Sequence, residues 1–435
     1  MMKSSTTIFI LFGIIVVLAA GLIGVLLYMN SRPAPTRGIP PLTAVDPLEP
    51  DSEQWGINFP NQYSSLKKTE TNDERTAFGG SNPYSKLETD PRLVTLFAGY
   101  GFSKDYNEER GHLNSLIDVE ATDRVGETTP GTCYSCKSAD NPRLWNQMGM
   151  AEYDKTPFME LGAEIDHAIG CANCHDAESM ALVVTNPALE EALRARGQDW
   201  TTFTRQEMRT VVCANCHVEY YFKGDGKYLT FPWEDGMAIE DIADYYADLQ
   251  FNDWEHPQSG APMIKMQHPE YELFTANSTH FNAGVACADC HMPYTRDGAA
   301  KYSTHDVKSP LLNAESACGQ CHTDVAYVTN RVSTIQNQVN ETMIATEEAI
   351  LTAISTIAAA GLESGTDGQL LDEARWMHRE AQLRWDFIAA ENSMGFHNPE
   401  EALRILASAT DLARQAAMKA VQAAGTPEVL PAETN

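Results

Sequence analysis

The sequence predicts a mainly α fold, with short helices and loops over its first three quarters and long helices at its end. Two observations predict it. Five Cys-x-x-Cys pairs are strung through irregular, Gly- and Pro-containing sequence with no run of alternating strand residues. From Val332 onward, apolar residues recur at steps of three, four and seven, the mark of a long amphipathic helix.

The elements follow in order. Residues 1–30 hold an uncharged apolar run from about Thr7 to Met29, long enough to span a bilayer and longer than a signal-peptide core. An uncleaved transmembrane signal anchor is expected, with a cleaved signal peptide as the alternative. Residues 31–77 carry Pro33, Pro35, Pro40, Pro41, Pro47 and Pro50 and read as a Pro-rich spacer and lead-in. Residues 78–330 contain the cysteine pairs; Phe158–Ile169 and Thr204–Cys213 read as helices running into two of them. Residues 331–424 form the long-helix region. Val332, Ile335, Val339, Met343, Ile350, Ile354 and Ile357 line one helix, which Gly361 and Gly365 end. A second helix covers about Asp367–Asn392 and a third about Pro399–Ala424, with proline in its first turn. Alanine-rich faces allow close helix packing, either within the chain or at a dimer interface. Residues 425–435 are a tail.

All ten cysteines fall in the five pairs, Cys133/Cys136, Cys171/Cys174, Cys213/Cys216, Cys287/Cys290 and Cys318/Cys321. Zinc ribbons use paired cysteines, but they do not need a histidine after every second one. Four pairs here end in His175, His217, His291 and His322. Cys-x-x-Cys-His attaches a c-type haem covalently, with the imidazole on its iron. The fold class is therefore a multihaem cytochrome, its short helices and loops wrapped around five haems. The first pair ends in Lys137. A lysine amine binds iron only when neutral, so this haem differs from the rest.

Four electron-carrying haems each want a second axial ligand. The candidates are His112, His167, His256, His268, His280, His305, His378 and His397, and spacing alone does not choose among them. His378 lies on an apolar helix face and reads as a core histidine. The formal net charge of -29 excludes nucleic acid as a partner. It would also repel an anionic substrate at long range, so local positive charge must reverse the field near any anion site.

Cys133-Tyr-Ser-Cys136-Lys137, Cys213-Ala-Asn-Cys-His-Val-Glu-Tyr-Tyr-Phe222 and Lys265-Met-Gln-His-Pro-Glu-Tyr271 closely resemble the ammonia-forming cytochrome c nitrite reductases, a pentahaem family. The resemblance covers about residues 80–420. It implies Lys137 as proximal ligand of a catalytic haem, served by Arg124, Tyr220 and His268. The loop from Arg124 to Cys133 is shorter than in the family, and Arg110 is the second candidate arginine. The resemblance further implies His112 as the second ligand at the Cys213/Cys216 haem and His305 at the Cys171/Cys174 haem. His280 would serve the Cys318/Cys321 haem and His397 the Cys287/Cys290 haem. It implies one Ca²⁺ held by the Glu219 carboxylate, the Gln267 side-chain oxygen and the Tyr220 and Lys265 carbonyls, a hard oxygen set.

The implied activity is six-electron reduction of nitrite to ammonium. The alternatives are a pentahaem electron-transfer cytochrome without a substrate site, or a reductase acting on hydroxylamine or sulfite. A membrane quinol-oxidising or soluble multihaem electron donor, a homodimer joined by the long helices, and residence on the outer (periplasmic) side of the cytoplasmic membrane are implied with it.

Overall fold

The computed structural model describes residues 12–15, 18, 21 and 42–425. Residues 12–15, 18 and 21 are helical, and Phe12, Ile14, Ile15 and Leu18 are exposed. They fall in a separate unit from the body that begins at Val45. The rest of the expected anchor, and the tail beyond 425, lie outside the described residues.

Folded structure starts well before residue 78. Helix α1 (Ser52–Gly56) is capped by the Asp51 carboxylate, which accepts from Glu53 N. Trp55 is 1% exposed, and its indole donates to the Glu49 carbonyl. Helix α2 (Pro60–Leu66) follows. These residues pack against the cysteine pairs and histidines: Ser52 Oγ accepts from Cys171 N, and Ser65 Oγ from His305 N. The Pro-rich composition ends at Pro50, and a buried aromatic begins the core.

The middle of the chain is short helices and turns, as expected. Helix α3 (Phe158–Leu161) stops where a continuous helix to Ile169 was expected. The reason is Asp140, whose carboxylate accepts the backbone N–H groups of Asp166 and His167 and so draws the chain out of helix. Helix α4 (Arg205–Val211) keeps its expected place, with Thr204 and Glu207 forming a capping box. Four two-stranded antiparallel hairpins interrupt the helices. They pair Arg75–Thr76 with Gly79–Gly80, Tyr221–Lys223 with Tyr228–Thr230, Trp254–Glu255 with Pro262–Met263, and Tyr294–Asp297 with Ala300–Ser303. Strands of two to four residues are too short to show alternation in sequence.

Short helices α5 (Glu270–Thr275) and α6 (Cys287–His291) precede three long ones, α7 (Val325–Leu362), α8 (Gly368–Ala390) and α9 (Pro399–Ala423). Asp367 caps α8 and Asn398 caps α9. The whole expected stripe of α7, Val332 through Ile357, is buried within the chain. Ala353, Ala360, Ala374, Ala416, Ala420 and Ala423 pack these helices closely. By length and composition α7 could cross a membrane, but its stripe is core.

Candidate functional site

None of the ten cysteines forms a disulfide, and burial pushes the thiols of Cys133, Cys174 and Cys290 up, the first to about 11 and the others to about 12. The Cys136 and Cys216 thiols lie close enough to perturb each other, and the Cys213 thiol lies close enough to raise that of Cys287. The first, third and fourth pairs are thus contiguous.

Cys321 differs from the other cysteines in its surroundings. Alone among the ten it is exposed, whereas the other nine are partly buried. The reason is local. A one-turn helix, Ala314–Ala317, ends at Cys318, and the chain then turns so that Cys321 N donates to the Cys318 carbonyl. Residues 319–324 run along the surface until α7 begins at Val325. The spacing of the fifth pair still matches haem attachment, but Cys321 stands at the rim of the body and not inside it.

Each pair tightens into a short turn. In the second, third and fifth, the backbone N–H of the histidine donates to the carbonyl of the first cysteine, which fixes the imidazole beside the thiols. Each of the four motif histidines has a second imidazole within 6.4 Å, and for three of them it is the ring that the resemblance assigned as second ligand. Ring centroids are 6.2 Å apart for His175 and His305, 6.3 Å for His291 and His397, and 6.4 Å for His280 and His322. An ion at roughly 2 Å from a nitrogen on each side, with half an imidazole added twice, needs about 6 Å between centroids. The spacing fits an iron between each pair. Burial lowers His291 and His305 to about 4, which keeps them neutral, the form that ligates metal. His217 has His268 at 6.4 Å. It is also, after burial, the main influence lowering His112 to about 4.

Three histidines stand apart from these pairs. His167 Nδ1 bonds Asp140, His256 Nε2 donates to the Thr95 carbonyl, and fully buried His378 bonds Ser259 and Gln382. His378 is a satisfied core histidine, as its helix face suggested.

Lys137 Nζ lies 2.9 Å from both oxygens of Glu109. Burial opposes its charge, but Glu109 outweighs burial and raises the ammonium above its ordinary value. Lys137 in turn holds Glu109 well below the usual carboxylate range, helped by His268 and Arg124. Burial drives the Tyr220 hydroxyl well up, and Cys136, Cys133 and Glu109 add to it. Lys137, Arg124, Tyr220 and His268 therefore share one neighbourhood, with Glu109 in its midst. Arg124 lies over the Phe102 ring at 4.1 Å, and its Nε donates to Thr122 Oγ1. Arg110, the second candidate arginine, is ion-paired with Asp118. Sequence reasoning missed Glu109, Phe102 and Asn392. Asn392 Nδ2 donates to Glu270 at 2.7 Å and lies 3.5 Å from His268 Nδ1.

The expected calcium residues also come together. Glu219 is fully buried; its Oε2 accepts from Gln267 N and its Oε1 from the Tyr246 hydroxyl. Gln267 Nε2 reaches the Lys265 carbonyl at 3.0 Å. Among the described residues no basic nitrogen lies within ion-pair distance of Glu219, and burial raises its carboxyl well above the ordinary value. Neighbouring Glu272 is driven up to about 8 by burial, and its Oε2 has no hydrogen-bond partner. Two buried acids with carbonyls around them fit a hard cation. Among the described residues no three His, Cys, Asp or Glu side chains form a metal cluster, so the set relies on amide and backbone oxygens.

The cytochrome c552 family model matches residues 51–432. The chain is 41% identical over 382 residues to cytochrome c-552 of Parabacteroides distasonis, covering 86% of this chain and 77% of the relative. It is 37% identical to cytochrome c-552 of Aliarcobacter butzleri, covering 93% and 83%. Among solved structures it is similar to the catalytic subunit NrfA of cytochrome c nitrite reductase from Desulfovibrio desulfuricans, described with two calcium sites. That match has a TM-score of 0.84 at 35% identity and covers 88% of this chain and 89% of the other.

Proposed function

The chain belongs to the cytochrome c552 family, and on that premise we propose that it is an ammonia-forming nitrite reductase with five covalent c-type haems. The observation that carries the reading is Lys137, which stands where every other motif has a histidine and shares its electrostatic neighbourhood with Arg124, Tyr220 and His268. Bound at Cys133 and Cys136, with Lys137 as neutral amine, haem would supply an iron site for nitrite and a point of electron delivery.

The four histidine-ended motifs would hold the carrier haems, with His305, His397 and His280 as second ligands for the second, fourth and fifth motifs and His112 for the third. The three facing pairs support the first three assignments. The closeness of Cys136 to Cys216 and of Cys213 to Cys287 supports a relay through the first, third and fourth motifs.

Nitrite nitrogen at +3 becomes ammonium nitrogen at -3, so six electrons and eight protons enter and two waters leave. The Arg124 guanidinium holds the anion and polarises its oxygens. Phe102 and Thr122 fix the guanidinium for that task. His268 delivers protons from its imidazolium and is recharged from solvent. The Tyr220 hydroxyl, kept protonated by burial, donates a hydrogen bond to the reacting nitrogen or oxygen. Glu109 offsets the positive charge of the pocket until Lys137 is neutral.

Calcium at Glu219, Gln267 and the Tyr220 and Lys265 carbonyls would hold the backbone on either side of Tyr220 and His268. Removing it with a chelator lowers the melting temperature by several degrees, since a ligand at a hundred times its Kd contributes about 2.7 kcal/mol. The chelated protein also acquires a pH dependence. Glu272 is protonated in the folded state up to about pH 8, whereas an unfolded carboxyl ionises near 4.5. The folded state then binds more protons, so stability is fully present below about 4.5 and is lost as pH rises towards 8. Melting curves of chelated protein across that range check the sign.

Electrons come from a membrane quinol-oxidising partner or a soluble multihaem donor, and the body sits on the outer, periplasmic side of the cytoplasmic membrane, anchored by residues 7–29. Homodimerisation through the long helices uses outward residues such as Trp376 and Met418, 43% and 58% exposed, because the inner stripe is core.

The test is the coordination state of ferric, haem-loaded protein titrated with cyanide. One haem in five changes its spectrum, and nitrite competes for it. No change at any haem would identify a closed electron carrier instead.

A further inference from the structure

Four of the histidines read above as haem ligands, His175, His291, His305 and His397, have an Nδ1 hydrogen-bond partner in the chain, and one of the four differs from the rest. His175 Nδ1 donates to the Met180 carbonyl at 3.0 Å, His305 Nδ1 to the Ser303 carbonyl at 3.0 Å and His291 Nδ1 to the Lys308 carbonyl at 3.2 Å. A carbonyl oxygen only accepts, so each ring presents its other nitrogen, Nε2, to the facing imidazole. His397 Nδ1 donates instead to a carboxylate, Glu391 Oε2, at 3.0 Å.

The Glu391 side chain is fully buried. It is held by three other hydrogen bonds: Ser393 Oγ reaches both its oxygens, at 3.0 and 2.7 Å, and Gly395 N donates to Oε1 at 2.6 Å. The loop between α8 and α9 is bent for this purpose. Asn392, Met394 and Gly395 all adopt positive φ, at 49°, 52° and 75°. Left-handed backbone at a methionine is costly and persists only where surroundings enforce it. At Gly395 a Cβ would also lie 2.7 Å from Val339 Cγ2, so only glycine closes the loop. Ser393 Oγ further accepts from His397 N at 2.9 Å, which sets the ring's backbone.

We propose that Glu391 is a redox-tuning residue, which through His397 makes the haem of Cys287/Cys290 lower in potential than the haem of Cys171/Cys174. This rests on the axial-ligand reading above. An imidazole whose N–H is given to a carboxylate is a stronger donor than one bonded to a carbonyl. A stronger donor, with a buried negative charge close by, favours ferric over ferrous iron. Both histidines of the Cys171/Cys174 motif have carbonyl partners, so that haem serves as the internal reference.

The test is a potentiometric titration of purified, haem-loaded protein, following the low-spin haems by electron paramagnetic resonance. Glu391→Gln keeps the shape and removes the charge; it raises the potential of one bis-histidine haem and leaves the others in place, and Glu391→Asp recovers part of the shift. Ser393→Ala removes a hydroxyl that weakens Glu391 as an acceptor, and it moves the same haem the opposite way. Opposite signs at one haem are not produced by loosened packing. If Glu391→Gln fails to load haem, Ser393→Ala decides alone: a downward shift at one haem supports the proposal, and no shift overturns it. Unchanged potentials in loaded Glu391→Gln overturn it outright. His397→Ala separates the underlying reading: if every low-spin signal survives that substitution, His397 is not an axial ligand.

Discussion

Replacing His268 with asparagine lowers the rate of ammonium formation by about a hundredfold to ten-thousandfold while every haem stays attached. His268 lies between a fixed strand of backbone and the first turn of α5. Met266 N, two residues before it, donates to the buried Asp386 carboxylate at 2.9 Å, and Gln267 N donates to Glu219. Glu270, two residues after, lies 3.7 Å from its Nδ1 and accepts from Asn392. Asparagine at 268 keeps size and polarity but moves no proton near neutral pH. Nitrite binding, on the proposed reading a task of Arg124, is expected to change much less than turnover, so the loss appears in kcat. Haem-normalised steady-state rates measure it. A loss below about fivefold would remove His268 from the chemistry.

Replacing Lys265 with methionine destabilises the body by about 3–5 kcal/mol, because it leaves a buried carboxylate without its cation. Lys265 and Asp386 side chains are 2% and 0% exposed and meet at 2.9 Å. The ammonium also donates to the Met266 carbonyl and sits among the rings of Phe97, Phe102 and Tyr106, at 5.3, 4.9 and 5.5 Å. Asp386 belongs to α8, so this one pair joins the long-helix region to the segment that carries Gln267 and His268. Phe102 is shared: Lys265 approaches the ring, and so does Arg124. The same substitution is therefore expected to loosen the Arg124 guanidinium and raise KM for nitrite. A fall in the denaturant midpoint shows the first effect, and an unchanged midpoint would mean that Asp386 is neutral in the folded protein.

Local signals carried most of what was legible in the sequence. The cysteine pairs announce themselves by spacing, and Lys137 by replacing a histidine. Asp367, Asn398 and Pro399 mark helix starts by capping chemistry that acts over three or four residues. The stripe of α7 is readable because a helix repeats its face many times. What was missed depends on contacts distant in sequence. Asp140 ends the helix after Leu161 from more than twenty residues away. Trp55 joins the core although the stretch before it reads as linker. Cys321 has the same spacing as the enclosed cysteines, and only the packing around it sets it at the surface. Glu109 and Glu391 are single acids in a strongly acidic chain, and nothing in their own sequence separates them from solvated ones. Their roles come from loop closure, which places one carboxylate against Lys137 and the other against His397.

On the proposed reading, this chain adds six electrons to nitrite at one site. The most direct measurement supplies ¹⁵N-nitrite to the holoprotein with a counted excess of a one-electron reductant, and follows both ¹⁵N-ammonium and reductant consumed. Six equivalents of reductant are expected to be oxidised per nitrite lost, with the label recovered as ammonium and no free intermediate released. One electron per nitrite with nitric oxide as product, or reductant consumed without any labelled ammonium, would contradict it.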